Sequence, residues 1–377
     1  MRVELVSHRG GAWSGPLPAV DSRQTLVVVF GSADRVGDPA IAELHRAYPQ
    51  SHVVGCSSAG EIIGTKVIDG SLVAGIVRFD DTQVATSYAS VAEAKESYAA
   101  GQTLGRALAG PGLRGLLLLS DGLHVNGSEL VRGVSSVVAN DVVVTGGLAG
   151  DGSRFERTWV LHEGVARDHV VSAVAFYGDR VAIGFGSKGG WDKFGPERKV
   201  TRSDGNVLYE LDGEPALQLY KMYLGDRASE LPASGLLFPL AVRASATDDK
   251  SLVRTILAVD EARQSMTFAG DIPQGHLAQL MRANFDRLVG AAGDAAAMTA
   301  QTAAATTPNT LAIAISCVGR RLVLGERTEE ELETAVEALP PGTVQLGFYS
   351  YGEISPWASG SCDLHNQTMT ITTLGER

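Results

Sequence analysis

Three cysteines in 377 residues, Cys56, Cys317 and Cys362, stand far apart without C-x-x-C spacing, which argues against a disulfide frame or a structural zinc site. The eight histidines show neither H-x-x-x-H nor H-E-x-x-H spacing, so a multi-histidine metal centre has no support. Basic residues are outnumbered, 32 against 43 acidic, and no Lys or Arg run interrupts the net charge of −11; nucleic acid and anionic membrane are not expected partners. Apolar runs are short. Even Leu116–Leu119 is stopped at once by Ser120-Asp121, far below the roughly 20 residues that span a bilayer. The amino terminus carries Arg2 and Glu4 and no apolar h-region, which predicts a cytoplasmic protein.

Catalytic and phosphate-binding signatures are equally scarce. Gly146 to Gly152 follows a strand but lacks G-x-G-x-x-G, no P-loop lysine follows it, and Asp151 would repel phosphate; a tight turn is the better reading. Ser58 and Ser350 lie near glycines, yet neither completes G-x-S-x-G. A hydrolase using Ser58, His365 or Glu353 therefore ranks last, and the chain is not expected to be an enzyme.

What is present is a globular composition, 44% hydrophobic and 20% charged, in a chain long enough for two domains. Gly55-Cys-Ser-Ser-Ala-Gly-Glu-Ile62 and Gly347-Phe-Tyr-Ser-Tyr-Gly-Glu-Ile354 are near copies. Each ends a strand–helix–strand pattern. In the first, Leu26–Phe30 and His52–Gly55 flank a helix at Pro39–Tyr48. In the second, Leu311–Ile315 and Val344–Phe348 flank a helix at Thr328–Leu339, begun by a Thr328 N-cap with Glu331 three residues on. A right-handed βαβ crossover makes such strands parallel and puts each Gly-Glu-Ile turn at a carboxyl end, where ligands gather in open sheets. The plainer reading is a shared folding solution in which glycine supplies positive φ and glutamate caps a backbone amide.

Between the copies, Val73–Phe79, Leu113–Leu119 and Val142–Thr145 read as strands and Val91–Leu108 and Ser128–Val138 as helices. Then come Thr158–Leu161, Val170–Tyr177 and Val181–Phe185, with a hairpin turn expected at Tyr177–Arg180. The turn-rich stretch from Gly186 to Gly213 marks the domain boundary, giving domains 1–213 and 214–377. Beyond it a helix is expected at Pro215–Leu224 and strands at Leu236–Val242, Leu252–Val259 and Met266–Ala269. A long helix is expected from Pro273, with Leu277, Leu280, Met281, Phe285, Leu288 and Val289 on one face, fading into a frayed Ala- and Thr-rich stretch at 291–307. The fold class is thus mixed α/β: two domains with mixed parallel and antiparallel sheets, flanking helices and a duplicated βαβ unit.

Several side chains are candidates for ligand contact. Glu61 and Glu353, if they face one another, would hold a cation or raise one pKa. Arg320 offers a fork for a carboxylate or a partner for Glu353. Cys317 is a small thiol beside the second copy, and Ser58, Ser350 and Tyr351 are polar members of the two turns. His276, at the start of the expected long helix, would be kept neutral by the helix dipole and so be available to a metal; His365 sits in a polar patch after the second copy.

The two turns, with Gly146-Gly-Leu-Ala-Gly-Asp151, Phe238-Pro-Leu240, Ser316-Cys-Val-Gly-Arg320 and His365-Asn-Gln-Thr368, in this order, resemble the FIST (F-box and intracellular signal transduction) family over essentially the whole chain. The resemblance implies an amino-terminal and a carboxy-terminal FIST domain and a sensor of a small ligand, amino acids and related metabolites being the family's general proposal. Stand-alone members resembling this chain include haem-binding nitric-oxide sensors that act in trans on a histidine kinase. Haem would then be non-covalent, held through His276 or His365, with Tyr351 or a cysteine less favoured.

Overall fold

The computed structural model describes residues 1–248, 251–303, 307, 309–357 and 361–377. It is mixed α/β, and one plan occurs three times. In the first repeat the strand Thr25–Ser32, the helix Pro39–Ala47 and the strand His52–Ser58 form a βαβ unit; a short hairpin, Glu61–Ile63 with Lys66–Ile68, follows, and the strand Leu72–Arg78 returns antiparallel to Thr25–Ser32. The second repeat is Leu113–Ser120, helix Gly127–Ser135, Val143–Leu148, hairpin Val160–His162 with Val165–Arg167, and Val170–Tyr177. The third is Leu311–Cys317, helices Val318–Leu324 and Thr328–Ala338, Val344–Ser350, hairpin Gly352–Pro356 with Cys362–His365, and Met369–Glu376. An outer strand flanks each repeat's last strand: Arg2–Arg9 (itself paired with Ala12–Trp13), Gln83–Ser90 and Val181–Lys188 respectively.

Each hairpin leaves its own sheet and joins another. That of the first repeat pairs with Val344–Ser350 in the third sheet, that of the third with Val143–Leu148 in the second, and that of the second with His52–Ser58 in the first. The exchange is cyclic. It also locks register, because one glycine in each repeat, Gly55, Gly146 and Gly347, lies opposite a guest residue, Leu161, Ile354 and Ile62 respectively. A Cβ at any of the three would sit within 2 Å of the neighbouring strand's carbonyl oxygen, on Val29, Leu118 or Ala314.

The strands read as unbroken apolar runs because both faces are covered. Leu26, Val28 and Phe30 share a central core with Leu117, Leu119, Ile313, Ile315 and Phe348, where the Phe30 and Phe348 rings stand 4.5 Å apart. The alternate residues Val27 and Val29 face the first repeat's helix through Ile41 and Leu44. Helix starts follow local chemistry: Asp38 accepts a hydrogen bond from the Ala40 amide with Pro39 in the first turn, and Asn126 accepts from Ser128 and Glu129.

Between the outer strand Val181–Lys188 and the helix Phe285–Thr302 lies an inserted module, an eight-stranded antiparallel arrangement around a core that includes Val200, Leu217, Tyr220 and Phe268. The turn-rich stretch from Gly186 to Gly213 carries its first strand, the 13-residue Asp192–Asp204.

Four local expectations are corrected. Leu277–Arg282 is a strand between Asp192–Asp204 and Leu240–Arg243, so His276 precedes a strand; the helix starts at Phe285, where Asn284 caps the Arg287 amide. Leu277, Leu280 and Met281 fit a helical period by coincidence with alternation. The Ala-rich stretch is firm helix through Thr302, burying Ala292, Ala295, Ala296 and Thr299 against the third sheet, and residues 304–306 of it lie outside the described residues. Small side chains there serve close approach: a Cβ on Gly186 would lie 2.1 Å from the Ala295 carbonyl oxygen. Tyr177–Arg180 closes no hairpin, because Val181–Lys188 crosses to pair with Met369–Glu376 in the third sheet. Finally, Thr328 does not cap its helix; its hydroxyl donates to the Gly325 carbonyl at 2.6 Å, and Glu331 is turned into the interior.

Candidate functional site

The three exchange turns meet. The Ala59 amide donates to the Tyr349 carbonyl (2.8 Å) and the Tyr349 amide to Gly60 (2.9 Å); Gly150 donates to Ser57 (3.1 Å) and Tyr351 to Leu148 (3.1 Å). First, second and third repeats are therefore stitched together by backbone hydrogen bonds at one junction.

Glu61 and Glu353 play the same part on either side of it. Each stands at the start of a guest strand and reaches back to the residue before its own repeat's last strand. Glu61 Oε2 accepts from the Ser71 amide and hydroxyl, both at 2.9 Å; Glu353 Oε2 accepts from the Thr368 amide (3.1 Å) and hydroxyl (2.9 Å). The turn serines add a further bond: the Ser350 hydroxyl donates to Glu353 Oε1 at 2.6 Å, and the Ser58 hydroxyl, which accepts from the Gly60 amide, also serves Glu61. Burial raises both carboxyl groups, Glu61 to about 7 and Glu353 to about 8, against the lowering effect of these donors. No hydrogen bond joins Glu61 to Glu353 among the described residues; both are interior clamps. In the second repeat Val160 holds their place, and Asp121 accepts from the matching amide, that of His169.

Arg320 is fully buried and pairs with Glu331 instead of Glu353. Its Nε and Nη2 donate to Glu331 Oε2 at 3.0 and 2.7 Å, Nη2 also to the Leu288 carbonyl (2.7 Å), and Nη1 to Gly189. Glu331 Oε1 accepts from Ser316 (3.0 Å) and the Tyr349 hydroxyl (2.8 Å). Tyr351 donates to Asp151 and to the Gly152 carbonyl, and its ring stacks on Phe155 at 4.7 Å. Cys317 and Cys56 are buried, and desolvation raises both thiols.

Above the junction lies an open groove of about 510 Å³. Ala59 comes from the first turn, Gly152 and Ser153 from the second, and Val318, Arg321 and Leu322 from the helix that follows the third repeat's first strand. Arg321 is the cation of its lining, which also holds Asp69, Glu326 and Glu329. Nη1 donates to the Ala59 carbonyl, Nη2 pairs with Asp69 at 2.6 Å, and the guanidinium stands 5.6 Å from the Tyr349 ring centroid. Sequence reasoning selected its neighbour Arg320. The missed signal is the helix Val318–Leu324: consecutive residues on a helix point about 100° apart, so one arginine enters the core and the other faces the groove.

The family models that match are the FIST N domain over residues 25–214 and the FIST C domain over 216–356. The chain is a member of the FIST family. No curated protein matches it. Membership places it among signal-transduction sensors with a small-ligand-sensing role, and among its described residues no helix is long and apolar enough to cross a membrane.

His365 is buried, with Nε2 3.0 Å from the Ser355 carbonyl and its ring against Trp357. His276 borders a second cavity, of about 350 Å³, whose lining includes Arg132, Arg243, Arg254, Asp248, Asp271 and Asp363. A porphyrin needs two broad apolar faces, and a lining half of charged residues does not provide them. That donor set fits a small charged guest better than haem. Among the described residues no group of three or more His, Cys, Asp and Glu could hold a metal ion.

Proposed function

We propose that this FIST protein is a cytoplasmic sensor, and not an enzyme, that takes a small charged ligand into the groove above the three-turn junction, with Arg321 as its anchor. The observation that carries this is the convergence of all three exchange turns beneath one groove whose cation is a partly exposed arginine. A ligand anion would compete with Asp69 and the Ala59 carbonyl for that guanidinium. Because the walls belong to different repeats, occupancy would favour one arrangement of the first hairpin against the helix Val318–Leu324, and a ligand shifts an equilibrium only through such differential contact. The output would be recognition in trans by a signalling protein. Differential scanning fluorimetry against a panel of small charged metabolites tests this: compounds that raise the melting temperature should lose that effect in Arg321→Ala, and a panel that moves neither protein would overturn it.

The finer reading, a haem-based nitric-oxide sensor acting on a histidine kinase, is disfavoured by the charged lining beside His276. Its test is an absorption spectrum of protein made with haem precursor supplied. A Soret band lost in His276→Ala would favour it, and a colourless protein that ignores added haem would end it.

A further inference from the structure

The cavity beside His276 contains a buried arginine that makes no ion pair. Arg254 is 2% exposed. Its Nε donates to the Asp271 carbonyl (3.0 Å), Nη1 to the carbonyls of Val253 (3.3 Å) and Leu364 (2.9 Å), and Nη2 to the Ser128 hydroxyl at a long 3.4 Å. All these acceptors are neutral, and no carboxylate among the described residues lies within ion-pair distance. A guanidinium has five N–H donors, and these four bonds leave one Nη2 hydrogen over. Burial without a contacting counter-ion is costly and seldom retained without a use; desolvation lowers the Arg254 pKa, against the opposing pull of Asp363 and Asp271.

Asp363 and Asp271 lie near enough to favour its charge, but neither makes an ion pair with it. Arg243 is held by both carboxylate oxygens of Glu197 at 2.7 and 2.8 Å, Arg132 by Glu129 at 2.6 Å, and Asp271 Oδ1 accepts from Asn126 Nδ2 at 2.8 Å. The cavity is assembled by three parts of the chain: the second repeat's helix through Ser128 and Arg132, the inserted module through Arg254 and Asp271, and the third repeat's hairpin through Asp363.

We propose that this cavity is a second ligand site, for a small organic monocarboxylate whose carboxylate docks on the Arg254 guanidinium and whose apolar body lies on Val242, Ala244, Leu252 and Pro273. One carboxylate oxygen accepts the Nη2 hydrogen left over, a charge-assisted bond. Asp248, Asp271 and Asp363 disfavour a dianion such as phosphate, and the arginines disfavour an amine. Because the walls join the inserted module to the three-repeat body, occupancy tightens that docking.

Isothermal titration calorimetry of the full chain with butyrate, inorganic phosphate and butylamine tests the site. Saturable butyrate binding is expected, at least tenfold tighter than phosphate, with no butylamine binding. Arg254→Lys, which keeps the charge and loses the Nη2 donor, should weaken butyrate at least tenfold. Ala244→Trp, at an exposed rim position, fills the cavity without touching the guanidinium and should abolish binding even if the Arg254 variant does not fold. Arg321→Ala should leave butyrate binding unchanged, which separates this site from the groove. Absence of saturable butyrate heat, phosphate binding as tight as butyrate, or unaltered binding in Ala244→Trp would overturn the proposal.

Discussion

Arg320 and Glu331 form an ion pair 2.7 Å long in which both side chains are wholly excluded from solvent. It ties the helix Val318–Leu324 to the helix Thr328–Ala338 behind the groove, and through the Tyr349 hydroxyl it reaches the exchange turn itself. Removing one partner of such a pair leaves the other charge buried, at a cost of about 3–5 kcal/mol. Arg320→Met and Glu331→Leu should each show that loss in urea unfolding, and the double variant should recover a substantial part of it.

Glu61 and Glu353 give the stability a particular pH dependence. Their folded pKa values, about 7 and about 8, lie above the ordinary 4.5, so the folded protein holds protons that the unfolded chain releases. Stability should therefore fall as pH rises from about 4.5 to about 7 for Glu61 and to about 8 for Glu353, at up to roughly 1.4 kcal/mol per pH unit for each group. Urea midpoints at pH 5, 6, 7 and 8 measure it. Glu353→Gln should flatten the slope and be the more stable protein at pH 8; parallel curves would show that the carboxyl is not protonated in the fold.

Glu376 works in the opposite sense. Burial raises its pKa, but the amides of Asp80, Asp81 and Thr82 and the Thr82 hydroxyl prevail and hold it at about 2. Its contribution is present above the usual carboxylate range and is lost as pH falls from about 4.5 towards 2. Glu376→Gln should cost about 1.5–3 kcal/mol at pH 7, the worth of hydrogen bonds to a charged group. The deficit, read from thermal melts, should shrink on acidification.

The register glycines admit no side chain. Gly347→Ala would place a methyl 1.8 Å from the Ala314 carbonyl oxygen, and Gly55→Ala and Gly146→Ala meet the same obstacle at 1.9 Å. Each should lower the melting temperature by many degrees or prevent folding, since overpacking of this kind costs about 1–3 kcal/mol or more. Gly15→Ala, with open space around it, is the control and should melt like the parent.

Much of this architecture was legible in the sequence, because strands buried on both faces announce themselves as apolar runs and the helices between them show an apolar face. Leu26–Phe30, Leu113–Leu119 and Leu311–Ile315 all lie within observed strands. The cyclic exchange was not legible, since local pattern says where a strand lies and not which sheet receives it; Gly146–Gly152 therefore read as an isolated turn although it is the third member of the junction. The doubled glutamates were visible, but their partners Ser71 and Thr368 lie 10 and 15 residues on, and only the fold shows that both acids are enclosed. Leu277–Arg282 was misread because a short amphipathic strand beside a true helix satisfies both periods.

The central claim, a ligand groove anchored by Arg321 above the junction, is tested most directly by melting the parent, Arg321→Ala and Glu353→Gln proteins against the same charged-metabolite panel at pH 6. The account predicts compounds that stabilise the parent and Glu353→Gln alike and leave Arg321→Ala unmoved. Compounds that stabilise Arg321→Ala as strongly as the parent would contradict it.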